Sequence, residues 1–148
     1  TLHEIARVPV GEHPFAIEVS PDGRWALALN VLSDDVSVID MATLAPRATL
    51  KVGRAPYGVA FSSDGARAFV TTQLGRSVSV LDLAAMNVAA AWKAPDYPEG
   101  IAATAEGQLV VVSWMDDLVQ VLDAASGQRR ASVSTGGNPR SFGRFIQP

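Results

Sequence analysis

Residues 13–30 read HPFAIEVSPDGRWALALN, and the same outline returns in APYGVAFSSDGARAFVTT (55–72) and YPEGIAATAEGQLVVVSW (97–114). Pro14, Pro56 and Pro98 stand 42 residues apart, and Pro139 follows 41 later. The dipeptides Asp22-Gly23, Asp64-Gly65 and Glu106-Gly107 keep the 42-residue step, and Asp40, Asp82 and Asp123 recur at intervals of 42 and 41. Three landmarks sharing one period mark an internal repeat, and its length is that of a four-stranded β-propeller blade.

Each repeat reads as four short strands. In the first, Phe15, Ile17 and Val19 alternate with Ala16, Glu18 and Ser20, and Tyr57, Val59 and Phe61 alternate with Gly58, Ala60 and Ser62. A period of two is the mark of a strand, and small residues on one face imply that a neighbouring sheet comes close. SPDG or SSDG then makes a tight turn: Asp bonds its own backbone and Gly takes the positive φ. The second strand is WALALN, AFVTT or VVVSW, and the third is VSVID, VSVLD or VQVLD. The fourth is PRATLKVG, VAAAWKAP or QRRASVST. No stretch keeps a helical period, although AAM around Met86 suits a single turn. The expected fold is all-β: three complete antiparallel blades at about 12–50, 54–92 and 96–133, with half-blade strands at 2–10 and 138–146.

The chain resembles the YVTN-type (YncE-like) propeller family of bacteria and archaea. The resemblance rests on LALN (27–30), FVTT (69–72) and VVSW (111–114), followed by VSVID (36–40), VSVLD (78–82) and VQVLD (119–123). It implies a seven-bladed ring of which this chain is the C-terminal half, in a bacterial protein of the periplasm or the extracellular space. The tryptophan-aspartate repeat class fits poorly, because Trp25, Trp92 and Trp114 are followed by Ala, Lys and Met. Three and a half repeats do not close a ring, since propellers have about four to eight blades. The expected partner is therefore the missing propeller half or another chain completing the ring. The flank of the first blade, around Trp25, Leu27 and Leu29 or their opposite-face neighbours, is expected to be exposed when the chain stands alone. The end strands around Ile5 and Val8 and around Phe142 and Phe145 are expected to pair outside it.

Composition narrows the classes of function. Of 148 residues, 48% are hydrophobic, enough for the core of one domain. Twelve Lys and Arg against fifteen Asp and Glu leave a net charge of −3, with no basic cluster to bind nucleic acid. Cysteine is absent, which excludes disulfides, iron–sulfur clusters, thiolate zinc sites and covalent c-type haem. Apolar runs fall far short of the roughly 20 residues of a membrane helix.

The recurring acids read as turn and hairpin residues rather than calcium ligands or catalytic pairs, since each turn offers one carboxylate and the blades hold Asp40, Asp82 and Asp123 apart. Asp34-Asp35 and Asp116-Asp117 read as solvated hairpin loops. Glu18 stands out, an acid in the register where other repeats place Ala60 and Ala102, and it needs a partner such as Arg24 or Arg67. The inter-blade loops place His13, Arg54, Tyr57, Asp96, Tyr97, Glu99, Asn138 and Arg140 around a funnel mouth with Trp114. His13, Arg54, Tyr57, Tyr97, Trp114 and Arg140 are the candidate ligand-binding residues. No catalytic or metal residue is assigned, because no nucleophile elbow, phosphate loop, dinucleotide fingerprint or HExxH element is present. The expected function is a binding scaffold for a protein or small ligand, without a cofactor. The alternative is a propeller subunit of a bacterial oxidoreductase, of the amine dehydrogenase heavy-chain or haem d1 kind, or a lactonase.

Overall fold

A computed structural model describes residues 3–141. They form twelve strands in three four-stranded antiparallel sheets, each following chain order from the innermost strand outward. The first blade holds β1 (Pro14–Val19), β2 (Trp25–Asn30), β3 (Asp35–Asp40) and β4 (Ala45–Lys51). The second holds β5 (Pro56–Phe61), β6 (Arg67–Thr72), β7 (Ser77–Asp82) and β8 (Asn87–Lys93). The third holds β9 (Pro98–Ala103), β10 (Gln108–Ser113), β11 (Leu118–Asp123) and β12 (Arg129–Ser134). The fold is that of consecutive propeller blades.

Strand alternation builds the core. On β6, Ala68 and Val70 face the first blade and meet Trp25, Leu27, Leu29, Val36 and Val38. Phe69, between them in sequence, points the other way and packs with Val78 and Val80 against Ile101, Leu109, Val111 and Leu122 of the third blade. A middle strand with both faces covered buries consecutive residues, which is why Ala68, Phe69 and Val70 of β6 are all apolar rather than alternating. The outermost strand is wet: all of β12 is exposed.

The flanks differ from expectation in detail. Trp25, Leu27 and Leu29 are buried in the interface with the second blade, not on the free side. Ala26 and Ala28 face the free side and are also buried, beside a groove of about 480 Å³ that Ile5, Val8, Ile17 and Ile39 help to line. The exposed part of that flank is the inner strand, with Ile17 63% and Val19 42% accessible. Residues 3–10 form no strand, because no neighbouring strand pairs with them among the described residues. Phe142 and Phe145 lie outside the described residues.

One frame shift corrects the repeat alignment. Trp25 pairs with Asp40 and Arg67 with Asp82, but in the third blade it is Gln108 that pairs with Asp123. The turn Thr104–Gln108 is thus one residue shorter than Ser20–Trp25 or Ser62–Arg67, whose closing hydrogen bonds it otherwise repeats. Ser113, not Trp114, stands in the place of Asn30 and Thr72. Trp114 moves out of the strand and into the loop beyond it.

Candidate functional site

At the end of each blade that carries the β1–β2 and β3–β4 turns, every recurring aspartate is committed to backbone. Asp22 accepts from Ser20 Oγ at 2.6 Å and from the Arg24 amide, and Asp64 repeats this with Ser62 and Ala66. Asp40, Asp82 and Asp123 each accept two amide hydrogen bonds from the turn that follows. Hydrogen bonds to the charged form hold the carboxyls of Asp22, Asp40 and Asp64 below the usual range. Asp123 is lowered most, chiefly by Arg130 and then by Ser126.

The opposite end, here termed the rim, gathers the inter-blade straps and the β2–β3 loops. Some of its acids are structural as well. Asp34 accepts from the Ala55 amide at 2.8 Å and Asp117 from the Asn138 amide at 2.6 Å, each stapling a hairpin to the strap that leads to the next blade. In the second blade Arg76 takes that hairpin position and forms an ion pair with Asp96 at 2.7 Å, while the Asp96 amide donates to Asp116. Asp35 is buried, which alone raises its pKa. Donors from Asn30, Lys51 and Ser33 outweigh burial and hold it below the usual carboxylate range.

One rim position follows different rules. Phe15, Tyr57 and Glu99 are the second residues of β1, β5 and β9, and Arg140, just after Pro139, takes the same place beyond the third blade. The residues that follow them are Ala16, Gly58, Gly100 and Ser141. Smallness is required there: Thr71 Oγ1 accepts from the Gly58 amide at 2.8 Å and donates to the Glu99 carbonyl at 2.7 Å. Those bonds draw β5 and β9 so close that a Cβ on Gly58 would strike that carbonyl. The close approach brings the larger side chains into a row. Phe15 and Tyr57 stack with ring centroids 4.1 Å apart, and Glu99 Oε2 lies 3.8 Å from Arg140 Nε.

The β2–β3 loops support this row from behind. Val31, Gln73 and Trp114 are equivalent, each donating its amide to the strap carbonyl of its own blade. Gln73 Nε2 donates to Glu99 Oε1 at 2.9 Å. Trp114 offers its ring to the Arg140 guanidinium, 4.5 Å from the ring centroid, and Tyr97 packs edge-on against the same indole at 5.8 Å. In the second and third blades the loop thus holds the rim residue of the next unit.

The electrostatics single out Glu99. Its side chain is 2% exposed while that of Arg140 is 49% exposed, so burial raises the Glu99 pKa against the opposing pull of Arg140 and Gln73. Burial, reinforced by the Glu99 charge, also raises the Tyr57 phenol. Glu99 Oε2 and Ser141 Oγ are buried without a hydrogen-bond partner. Both residues line a concavity of about 770 Å³ along the inner strands, together with Phe15, Glu18, Tyr57 and Ile101.

Of the six expected ligand residues, Tyr57, Tyr97, Trp114 and Arg140 belong to this cluster. His13 and Arg54 are exposed on other straps, where their carbonyls accept loop hydrogen bonds. Neither side chain makes a hydrogen bond, ion pair or ring contact with the cluster among the described residues. Glu18 is half-buried on β1. Glu99 is the acid that burial isolates, and the sequence alone places it only among the general rim residues. The signal for it is its register: an acid where the other two repeats carry an aromatic ring.

No family model matches the sequence, and no curated protein matches it. Among solved structures 1123 chains match, so the fold is a common one. One is Kuenenia stuttgartiensis hydrazine synthase, with a TM-score of 0.82 and 27% identity over 86% of this chain. The chain spans 37% of that protein. Among the described residues no helix is long and apolar enough to cross a membrane.

Proposed function

We propose that this chain is part of a YVTN-type propeller ring that acts as a non-catalytic binding scaffold, taking its ligand at the rim beside the third blade. One observation carries the reading. The recurring acids at Asp22, Asp40, Asp64, Asp82 and Asp123 are consumed by turns, whereas the rim row sets a buried, under-bonded acid beside a cation that stacks on Trp114, with Tyr97 against the same indole. Convergent polar groups on an apolar concavity make a binding site. The flanking blade faces are covered by further blades of the same ring, which belongs to the periplasm or the extracellular space.

A thermal-shift screen of small ligands tests the scaffold reading, run on the natively purified protein and on a Trp114→Ala/Arg140→Gln double variant. Ligands that stabilise the first and not the second support it. If every stabilising ligand acts equally on both, the rim is not the site.

A second reading, in which the ring is a subunit of an oxidoreductase, draws on the likeness to a chain named as a synthase. It predicts a cofactor absorption band in the visible spectrum of the native protein. The scaffold reading predicts none.

A further inference from the structure

We infer that the rim site takes a compact zwitterion, with an ammonium group against Glu99, a carboxylate against Arg140 and an apolar side chain on the Phe15–Tyr57 wall, as in an aromatic α-amino acid. The inference rests on the rim being a ligand site and names what that ligand must carry.

Charge balance decides the class. Glu99 and Arg140 are oppositely charged and 3.8 Å apart, beyond hydrogen-bond length, so the acid keeps an acceptor that Arg140 does not fill. A simple cation binding to Glu99 would leave Arg140 without its counter-charge. A simple anion on Arg140 would leave Glu99 either a buried, unpaired charge or obliged to take up a proton, and both cost free energy. A zwitterion exchanges one pair for two and brings no net charge into the site. Its ammonium supplies the hydrogens that Glu99 Oε2 lacks, and Ser141, whose Oγ is also buried without a partner, lines the same concavity.

The surroundings fit that ligand. Arg140 is half exposed on a segment outside any strand, so it can shift outward along the Trp114 face to admit a carboxylate while keeping its stacking. Glu99 is fixed from behind by Gln73 and from beneath by the Thr71 bridge to its carbonyl, so its carboxylate is positioned in advance. The stacked Phe15 and Tyr57 rings stand at the neighbouring positions of the row, and Phe15 keeps 45% of its surface accessible to an apolar side chain.

Calorimetric titration of the natively purified protein with three probes tests the inference: L-phenylalanine, phenethylamine, which has only the cation, and 3-phenylpropionate, which has only the anion. Phenylalanine is expected to bind, and each single-charge analogue to bind about tenfold or more weakly, as for the loss of one charged hydrogen bond. Glu99→Gln and Arg140→Gln should each weaken phenylalanine binding by a similar factor, while Asp64→Asn leaves it unchanged. Phenethylamine or phenylpropionate binding as tightly as phenylalanine overturns the zwitterion class and leaves the rim standing as a ligand site. No heat from any of the three also overturns that class. The rim itself falls only if the thermal-shift screen finds no ligand that depends on Trp114 and Arg140.

Discussion

The two ends of each blade descend from one repeat and have kept it to different degrees. At the turn end the side chains serve the backbone, and three blades use nearly the same ones: Ser20, Asp22 and Gly23; Ser62, Asp64 and Gly65; Thr104, Glu106 and Gly107. At the rim the backbone is just as regular, with His13, Ala55, Tyr97 and Asn138 all at positive φ, from 49° to 56°. The side chains it carries are not: Phe, Tyr, Glu and Arg occupy one equivalent position. Where geometry repeats and chemistry does not, the fold has left the residue free for another task.

The core between blades should set the largest effect and show the rim to be separable from it. Phe69 is fully buried between the second and third blades and stacks on Trp92. Phe69→Ala is expected to cost about 3–5 kcal/mol in chemical denaturation. Trp114→Ala, at the rim, should move the midpoint far less. Equal losses would mean that the rim aromatics are core residues in disguise.

Next come the turns. Gly23 and Gly65 have φ of 72° and 68°, and nothing lies within 4 Å of a Cβ at Gly23, so a side chain there suffers backbone strain alone. Gly23→Val should cost about 1–3 kcal/mol, and an unchanged melting temperature would remove the turn from the comparison.

Acid sharpens the contrast, because Glu99 and the turn-end carboxyls titrate with opposite sign. The carboxyls of Asp22, Asp40, Asp64 and Asp123 are lowered on folding. Their contribution is complete above the unfolded-state value of about 4 and is lost as pH falls through the folded values. Glu99 is raised on folding, so its folded form holds its proton more tightly, and stability drops as pH rises from the unfolded value through the folded one. Urea midpoints followed from pH 7 to pH 3 should therefore fall less in the parent than in Glu99→Gln, because the parent gains from protonating Glu99. Parallel curves would count against a strained acid at the rim.

Much of this was legible from the 42-residue period. It locates the twelve strands, the glycine turns and the Asp40, Asp82 and Asp123 caps, because these answer to local chemistry that each repeat restates. An ungapped alignment puts Trp114 at a strand end, whereas the structure puts it in the loop, because the third turn is one residue shorter and hydrogen-bond register is invisible to the alignment. Asp34 and Asp117 read as solvated, whereas they staple straps more than twenty residues away, a contact that no local pattern encodes. Glu99 was in view among the rim residues, but its burial depends on how tightly β5 and β9 approach, and that follows from the Thr71 bridge.

The smallest expected effect is the most direct test of the central claim, that the rim was shaped by binding and the turns by folding. Glu99→Gln keeps the side-chain length and an acceptor for Gln73, and removes a buried charge. Asp64→Asn weakens a turn cap. The urea midpoints of these two variants at pH 7, each set against the parent, should move in opposite directions, with Glu99→Gln more stable and Asp64→Asn less stable. If Glu99→Gln loses stability as Asp64→Asn does, the rim acid is part of the scaffold and the division between the two ends does not hold.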